Sequence, residues 1–469
     1  MDRKYKSYKN LPALAGVCSM ERAAGPGLTV AEGVRRLKRH RYAFKRLQEI
    51  FVARITAEPI YELKTGFSLH AHLCAEHAST LGARVAEMRE PPLGLDDVPD
   101  AHLAVFFDEV LGAPSTADLV VGLYEKAVPA LQAGLRRHLE ETHPLIDFPS
   151  CRLIRFALLE LEQITAFGTQ AVESLVDRAS RDRMSEWIGL LDECLRPAQA
   201  GTPHRMHSAK PYVYDGVPKR DERFGDIYNQ GVNPEAFLYN KDFPADAKVL
   251  MLFFKRFREV DVPEMMASIL TELRDKPWGF YRDMTRQLWD EARHAMMGEI
   301  GFVAAGLDWR TIGINVTWSL NLNTQLTAQE RHAVLYFIEQ GLMPKTGKRY
   351  EWEVACASQN RLSALFQDYD WADEVLHARI GREWYLSQFK NAAEAIRYGD
   401  ECWSKILLDW QGYRERGLTQ HHNWWPDLYR TYCRLRGAEA DPNVLAFAET
   451  YERLRPDLKT ISTSETKRE

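Results

Sequence analysis

At 469 residues the chain is long for one domain, which predicts two or three. Its 45% hydrophobic and 27% charged residues are those of an ordinary globular protein, and a net charge of -5 with a pI near 6.3 argues against a general nucleic-acid or anionic-membrane binder. No apolar run approaches the ~20 residues of a membrane span, residues 1–6 lack the apolar core of a secretory signal, and seven dispersed cysteines without a Cys-x-x-Cys fit reduced thiols, so a cytoplasmic protein is expected.

Helical periodicity dominates and no convincing alternating strand is found, so the expected fold class is all-α. Residues 1–27 read as an irregular lead-in. Amphipathic helices are predicted over about 29–56, 60–89, 117–142 and 150–178, a first helical bundle within 1–196. A stretch rich in Pro, Gly, Tyr and charge, 197–245, reads as a connection. A second helical set follows over 246–273, 277–305, 327–342 and 351–390, within a domain 246–392. Asp275-Lys276-Pro277 makes the turn between its first two helices, with Pro suited to a first helical turn, and Thr327-x-x-Glu330 is a capping box. The remainder, 393–469, is expected to add helices near 393–415 and 424–455 and then a polar tail, Ser462 to Glu469, without fixed structure.

Two short motifs in the second set carry the chemistry. Asp290-Glu291-Ala292-Arg293-His294 and Asp373-Glu374-Val375-Leu376-His377 share the form Asp-Glu-x-x-His, lie 83 residues apart, and are each followed by Gly four residues after the His (Gly298, Gly381). Residues three apart share one helical face, so Glu and His of each copy can reach one metal ion. A pair of such helices, with one further Glu from each of two others, is how a four-helix bundle holds two iron or manganese ions.

The two missing carboxylates follow from hairpin geometry. Reflecting the Glu291–His294 pair through the turn at Asp275-Lys276 lands on Glu259. Pro263 removes the backbone donor for the Glu259 carbonyl, a local break that could re-aim Glu259 or swing Glu264 inward as an additional ligand. For the second hairpin Glu339 is the choice, with Glu330 as a competitor already engaged in capping. The reflection is less clean there, and a shorter third helix or a kink in the fourth would reconcile it. Carboxylates and neutral imidazoles suit iron and manganese, whereas a thiolate-rich set would suggest zinc. Asp290 and Asp373 can each accept the free ring N–H of a metal-bound His across the bundle. Tyr336, Trp289 and Trp384 are candidates for a pocket that excludes water.

The first helical set reads as a worn copy of the second. Glu76 and Glu162 stand 86 residues apart where the second set has Glu291 and Glu374, with Ser79 and Thr165 in place of His, so this bundle is expected to be metal-free. His70, His72 and His77 with Glu62 and Glu76 do not share one helical face and read as satisfied or surface histidines. The basic run Arg35 to Arg46 could meet RNA or an acidic carrier protein, but reads more simply as a solvated face. His421-His422 beside Trp424-Trp425 reads as a turn and a core anchor.

These residues resemble the ferritin-like di-iron carboxylate superfamily. Within it, Phe257 to Glu264, Asp290-Glu291-x-x-His294, Phe337 to Leu342 and Asp373-Glu374-x-x-His377-x-x-x-Gly381-x-x-Trp384 look like a poorly characterised group of bacterial ferritin-like proteins. The resemblance spans about 246–390, roughly a third of the chain. It implies a ferritin-like four-helix bundle with two iron ions, or iron and manganese, that takes O2 as co-substrate and oxidises a small organic substrate with an external electron donor. Glu259, Glu291, His294, Glu339, Glu374 and His377 would hold the metals. A homodimer is a fair expectation. Ferroxidase or iron handling, and a metal-free helical scaffold, are the alternative readings.

Overall fold

A computed structural model describes residues 5–89, 94–196, 211–225, 228–229, 232–314, 316–344, 347–407, 415–418 and 422–450. The expected tail from 462, His421, most of the first half of the 197–245 connection, and the ends of the helices placed at 393–415 and 424–455 lie outside these. The fold is all-α: 74% of it is helical and no strand occurs among the described residues. None of the described helices is long and apolar enough to cross a membrane. No disulfide joins any of the seven cysteines.

The chain forms two compact units, Met1–Phe51 with Leu69–Val213, and Val52–Ser68 with Tyr214–Glu469. Helices of the first half are α1 (Met20–Ala23), α2 (Val30–Ile55), α3 (Tyr61–Met88), α4 (Ala101–Leu111), α5 (Thr116–Val120), α6 (Val128–Glu141), α7 (Phe148–Leu175), α8 (Arg178–Arg183) and α9 (Ser185–Leu195), with a π-helical turn at Val121–Ala127 joining α5 to α6. α4, α8 and α9 are short helices that periodicity did not separate from their loops. The basic run on α2 is satisfied inside the first unit, where Arg36 pairs with Glu141, Arg39 with Asp100 (2.9 Å) and Arg46 with Asp108 (2.7 Å). His70 Nδ1 meets the Tyr124 hydroxyl at 2.9 Å and His77 meets Glu160 at 2.6 Å. Glu162 is exposed and faces Arg136 (3.7 Å). The worn-copy carboxylate therefore does not point into a shared site.

The second unit contains α10 (Pro234–Tyr239), α11 (Ala245–Arg258), α12 (Asp261–Glu272), α13 (Trp278–Ala304), α14 (Thr317–Gln325), α15 (Ala328–Gly341), α16 (Lys348–Ala357), α17 (Arg361–Trp384), α18 (Ala392–Leu407), α19 (Trp425–Leu435) and α20 (Pro442–Leu445). Two of the long helices read from periodicity are each two helices. The one placed at 246–273 is interrupted at Glu259–Val260, between α11 and α12, and Pro263 falls in the first turn of α12, where no N–H is needed. The one placed at 351–390 is interrupted after Ala357: Gln359 takes φ +60° and the Asn360 side chain accepts the Ser363 N–H to start α17. The capping box of α15 is formed by Thr327 and Glu330.

Four helical segments close a ring. α11 and α12 pack along α13, α13 packs on α17, α17 on α15, and α15 back on α12, while α16 folds against α17 and α11. α11 is buried at every residue from Ala247 to Phe257, so it runs through the middle of the unit. Its Phe253, Phe254 and Phe257 join Phe302, Trp309, Trp424, Trp425 and Phe237 in one apolar core. Phe254 and Trp424 rings lie 4.6 Å apart, as do Phe237 and Trp425, so the C-terminal helices share this core and are not a separate appendage. A Cβ on Gly298 would stand 2.3 Å from the Phe257 backbone nitrogen, and one on Gly381 would stand 2.6 Å from the Tyr336 ring. The two glycines that follow the paired motifs thus let α13 meet α11, and α17 meet α15, at close range.

Candidate metal centre

The inward faces of this ring carry charge where a core would carry methyl groups. Glu291, His294, Glu339, Glu374 and His377 are all at most 4% exposed, and Glu259, at the α11–α12 break, is mostly buried. Two sets of ligand atoms converge: Glu259, His294, Asp370 and Glu374 in one, and Glu291, Glu339, Glu374 and His377 in the other, the atoms of each set within 4.8 Å of one another. Glu374 belongs to both. The structure therefore brings together the six side chains picked from the sequence and adds a seventh, Asp370.

Each helix supplies its residues by simple periodicity. On α13, Gln287, Glu291 and His294 follow at intervals of four and three; on α17, Asp370, Glu374 and His377 do the same. These spacings keep three side chains on one stripe. Gln287 donates from Nε2 to Glu339 Oε1 at 2.9 Å. Glu259 caps α11 at the break after Arg258, and its carboxylate reaches towards His294 Nδ1, 3.3 Å away.

The imidazoles are oriented crosswise. His294 Nε2 faces Asp373 Oδ2 at 3.2 Å, and His377 Nε2 faces Asp290 Oδ2 at 3.4 Å. With the proton on Nε2, each Nδ1 lone pair points among the carboxylates: His294 Nδ1 lies 3.6 Å from Glu291 and 3.4 Å from Asp370, and His377 Nδ1 lies 3.2 Å from Glu291 and 3.4 Å from Glu374. Arginines hold the two aspartates in turn. Arg286 Nε reaches Asp290 at 2.9 Å, and Arg293 bonds both Asp290 and, at 2.8 Å, Asp373.

Buried carboxylates this close cannot all stay charged without cations. Burial, then Glu374 and Glu291, push Glu339 well above the usual carboxylate range. Burial would raise Glu374 too, but Lys348 and the closeness of Glu339 and His377 carry it well below. Glu291 is drawn down to about 2, the cost of burial being outweighed by His294 and His377. Both histidines sit well above their ordinary value despite burial, His294 chiefly through Asp370 and His377 through Asp290 and Glu291. Protons thus serve as the positive charge that a metal would otherwise bring.

Further basic residues enter from α11 and α16. Lys348 Nζ stands 2.9 Å from both oxygens of Asp370 and from Glu374 Oε1. Arg256 pairs with Asp370, with Glu259 at 3.0 Å and with Glu351 at 3.5 Å. Sequence reasoning missed Asp370, Gln287, Lys348 and Arg256. Asp370 was visible as an acidic residue one turn before Glu374 on the same stripe. Lys348 was not: on a continuous helix it would lie about 33 Å from Asp370, and only the fold-back of α16 brings the two into contact.

The remaining candidates are elsewhere. Glu264, considered as an extra ligand, is not among the converging atoms. It is fully buried in a separate polar cluster, 2.6 Å from Lys64 Nζ, 3.0 Å from Arg220 Nη2 and 2.6 Å from Ser319 Oγ, because its place on α12 lies beyond the break that re-aims Glu259. Tyr336 is buried with its ring against Gly381 and Tyr385 and its hydroxyl donating to Gln340 at 3.3 Å. Trp384 donates to Asp283 Oδ2 at 2.9 Å and packs on Phe280, near the Pro277 end of α13, and Trp289 is half-buried. The contacts that Tyr336 and Trp384 make are thus packing contacts and hydrogen bonds.

A test of fit is whether buried polar atoms lack partners. Glu259 Oε2, Glu291 Oε1, Glu339 Oε2, Glu374 Oε2, and Nδ1 of both His294 and His377 make no hydrogen bond. Orphaned buried acceptors are rare and costly. Other buried polar atoms of the chain also lack a hydrogen bond, but each of the six residues selected on metal-ligand grounds contributes one, and their O and N donors fit divalent iron or manganese. Set against known proteins, the chain matches no family model, no curated protein and no solved structure.

Proposed function

We propose that the second unit is a ferritin-like dimetal domain and that the protein is an O2-dependent oxidoreductase acting on a small organic substrate. The observation that carries this reading is the set of six buried ligand atoms without hydrogen bonds, converging in two groups that share Glu374. One ion would be held by Glu259, His294, Asp370 and Glu374, and the other by Glu291, Glu339, Glu374 and His377, with iron at both positions or iron and manganese. When bound, a pair of such ions supplies the redox chemistry with O2 that amino-acid side chains lack.

The chain's own residues do the rest. Asp373 and Asp290 keep the Nε2 protons of His294 and His377 in place, so Nδ1 stays free as a donor atom. Arg286 and Arg293 hold Asp290 in place, and Arg293 also holds Asp373. Gln287 fixes one oxygen of Glu339 and leaves the other bare. The aromatic core built on α11 borders the charged interior and keeps bulk water from its back. If O2 is reduced to the level of water, it takes up four electrons, two from the substrate and two from an external electron donor; if it is reduced to H2O2, the substrate supplies both.

Metal analysis of the purified full chain, loaded anaerobically with Fe(II), tests the reading. Two ions per chain are expected, and Glu291→Ala or His377→Ala should lose at least one; retention of two ions by both variants refutes the ligand set. Oxidation of many Fe(II) per chain without organic substrate would move the function to iron handling. Absence of any bound metal would leave a helical scaffold.

A further inference from the structure

The two groups of ligand atoms are near copies of each other. Glu259 corresponds to Glu339, His294 to His377 and Asp373 to Asp290, and one turn before each Glu-x-x-His stands Gln287 on α13 or Asp370 on α17. The copies differ in charge. Next to Glu291, Glu339, Glu374 and His377, the added group is the neutral amide of Gln287. Among Glu259, His294, Asp370 and Glu374, the added group is an acid, and two fully buried cations sit on it. Lys348, 1% exposed, directs its ammonium at both Asp370 oxygens and at Glu374, all at 2.9 Å, and Arg256, 0% exposed, pairs with Asp370 and Glu259.

An ion entering the Glu259 position needs the oxygens that Lys348 already holds. It also meets two fixed positive charges at a range where water cannot screen them. At the Gln287 position Lys348 touches only the shared Glu374, and no cation sits on a counterpart of Asp370. Lys348 is placed for this by a specific device: the chain breaks at Gln359, and α16 folds back along α17 so that its first residue reaches Asp370.

Resting on the dimetal reading, we propose that Lys348 is an internal competitor for one of the two metal positions, so that the centre loads in order. The Glu291/Glu339/Glu374/His377 position binds first and tightly. The Glu259/His294/Asp370/Glu374 position binds second and weakly, and only as the Lys348 ammonium withdraws from Asp370 and Glu374. One ion is then resident, and the other exchanges.

Titration of the full chain with Mn2+, following free Mn2+ by electron paramagnetic resonance and retained metal by mass spectrometry after desalting, tests this. Wild type is expected to show two steps at least tenfold apart in Kd and to keep one ion through desalting. Lys348→Met should strengthen the weak step at least tenfold and the tight one, which shares only Glu374 with Lys348, by much less, so that the gap between them narrows. His377→Ala should remove the tight step, and His294→Ala the weak one. Two equal steps in wild type, an unchanged gap in Lys348→Met, or a tight step lost in His294→Ala and kept in His377→Ala would each overturn the proposal while leaving a dimetal site intact. Binding of no ion overturns both. If Lys348→Met does not fold, wild type and the two histidine variants decide between ordered and equal loading.

Discussion

A carboxylate that accepts an imidazole N–H decides which ring nitrogen is left to bind a metal, so Asp373 and Asp290 matter although neither belongs to the converging ligand groups. Removing such a partner typically lowers metal affinity ~10–100-fold. Asp373→Ala is expected to weaken the step that depends on His294 by that factor and to leave all ligand residues present; competition with a fluorescent chelator measures it, and an unchanged affinity would deny Asp373 this role. A second residue-scale prediction concerns the polar cluster that captured Glu264. Lys64 is buried and its ammonium is 2.6 Å from Glu264, so Lys64→Met leaves that carboxylate with one cation fewer. Breaking a buried pair on one side costs ~3–5 kcal/mol, readable as a lowered denaturant midpoint, with metal content unchanged. At this scale much of the centre was legible, because Glu, His and their partner Asp recur at helical spacing. Asp370 was overlooked although it obeys the same spacing. Glu264 could not be excluded from sequence, since Lys64 and Arg220, which hold it, are 200 and 44 residues away along the chain.

Helices bring those residues together only where their backbones can approach, and glycine sets that distance. On α13, Gly298 faces the backbone of α11 at Phe253 and Phe257, the turn that leads into Glu259. A methyl group there has no room that a flexible side chain could yield, since the nearest atoms are backbone. Gly298→Ala is therefore expected to push α11 from α13, at ~1–3 kcal/mol or more, and to loosen metal binding through Glu259. Gly341→Ala, at the end of α15 with nothing within 4 Å, should be neutral or slightly stabilising. Thermal unfolding of the pair measures the contrast, and equal behaviour would mean that the close approach is not required. The long helices and their order could be read from periodicity, and Pro263 marked the break beside Glu259. The break at Gln359 was not legible: Ser358-Gln359-Asn360 contains neither Pro nor Gly, and Gln at φ +60° is a conformation its neighbours impose. That missed turn is why Lys348 was missed too.

Over the molecule as a whole, the two units answer acid by different chemistry, and the first unit gives the cleaner test because it holds none of the converging ligand groups. Burial lowers His40 and His70 there from 6.5 to about 3, with no carboxylate close enough to oppose it. The sign follows from linkage: the unfolded chain takes up a proton on each ring below pH 6.5 while the folded unit does not. Their contribution is fully present above pH 6.5 and is lost as the pH falls towards about 3, by up to ~1.4 kcal/mol per pH unit for each histidine. His40 Nε2 has no hydrogen-bond partner, so an apolar side chain can replace it without stranding a donor. His40→Leu is expected to match or fall below wild type at pH 8 and to gain on it steadily from pH 6 to pH 4.5. Hydrogen exchange read by mass spectrometry on peptides from α6 and from α2 before Val52, corrected for the intrinsic rate, follows the first unit alone. A difference between variant and wild type that stays constant across this range would show that His40 is already charged in the folded protein, and that the acid response of this unit lies in its paired carboxylates, Asp100 and Asp147, whose folded-state values lie below the ordinary range.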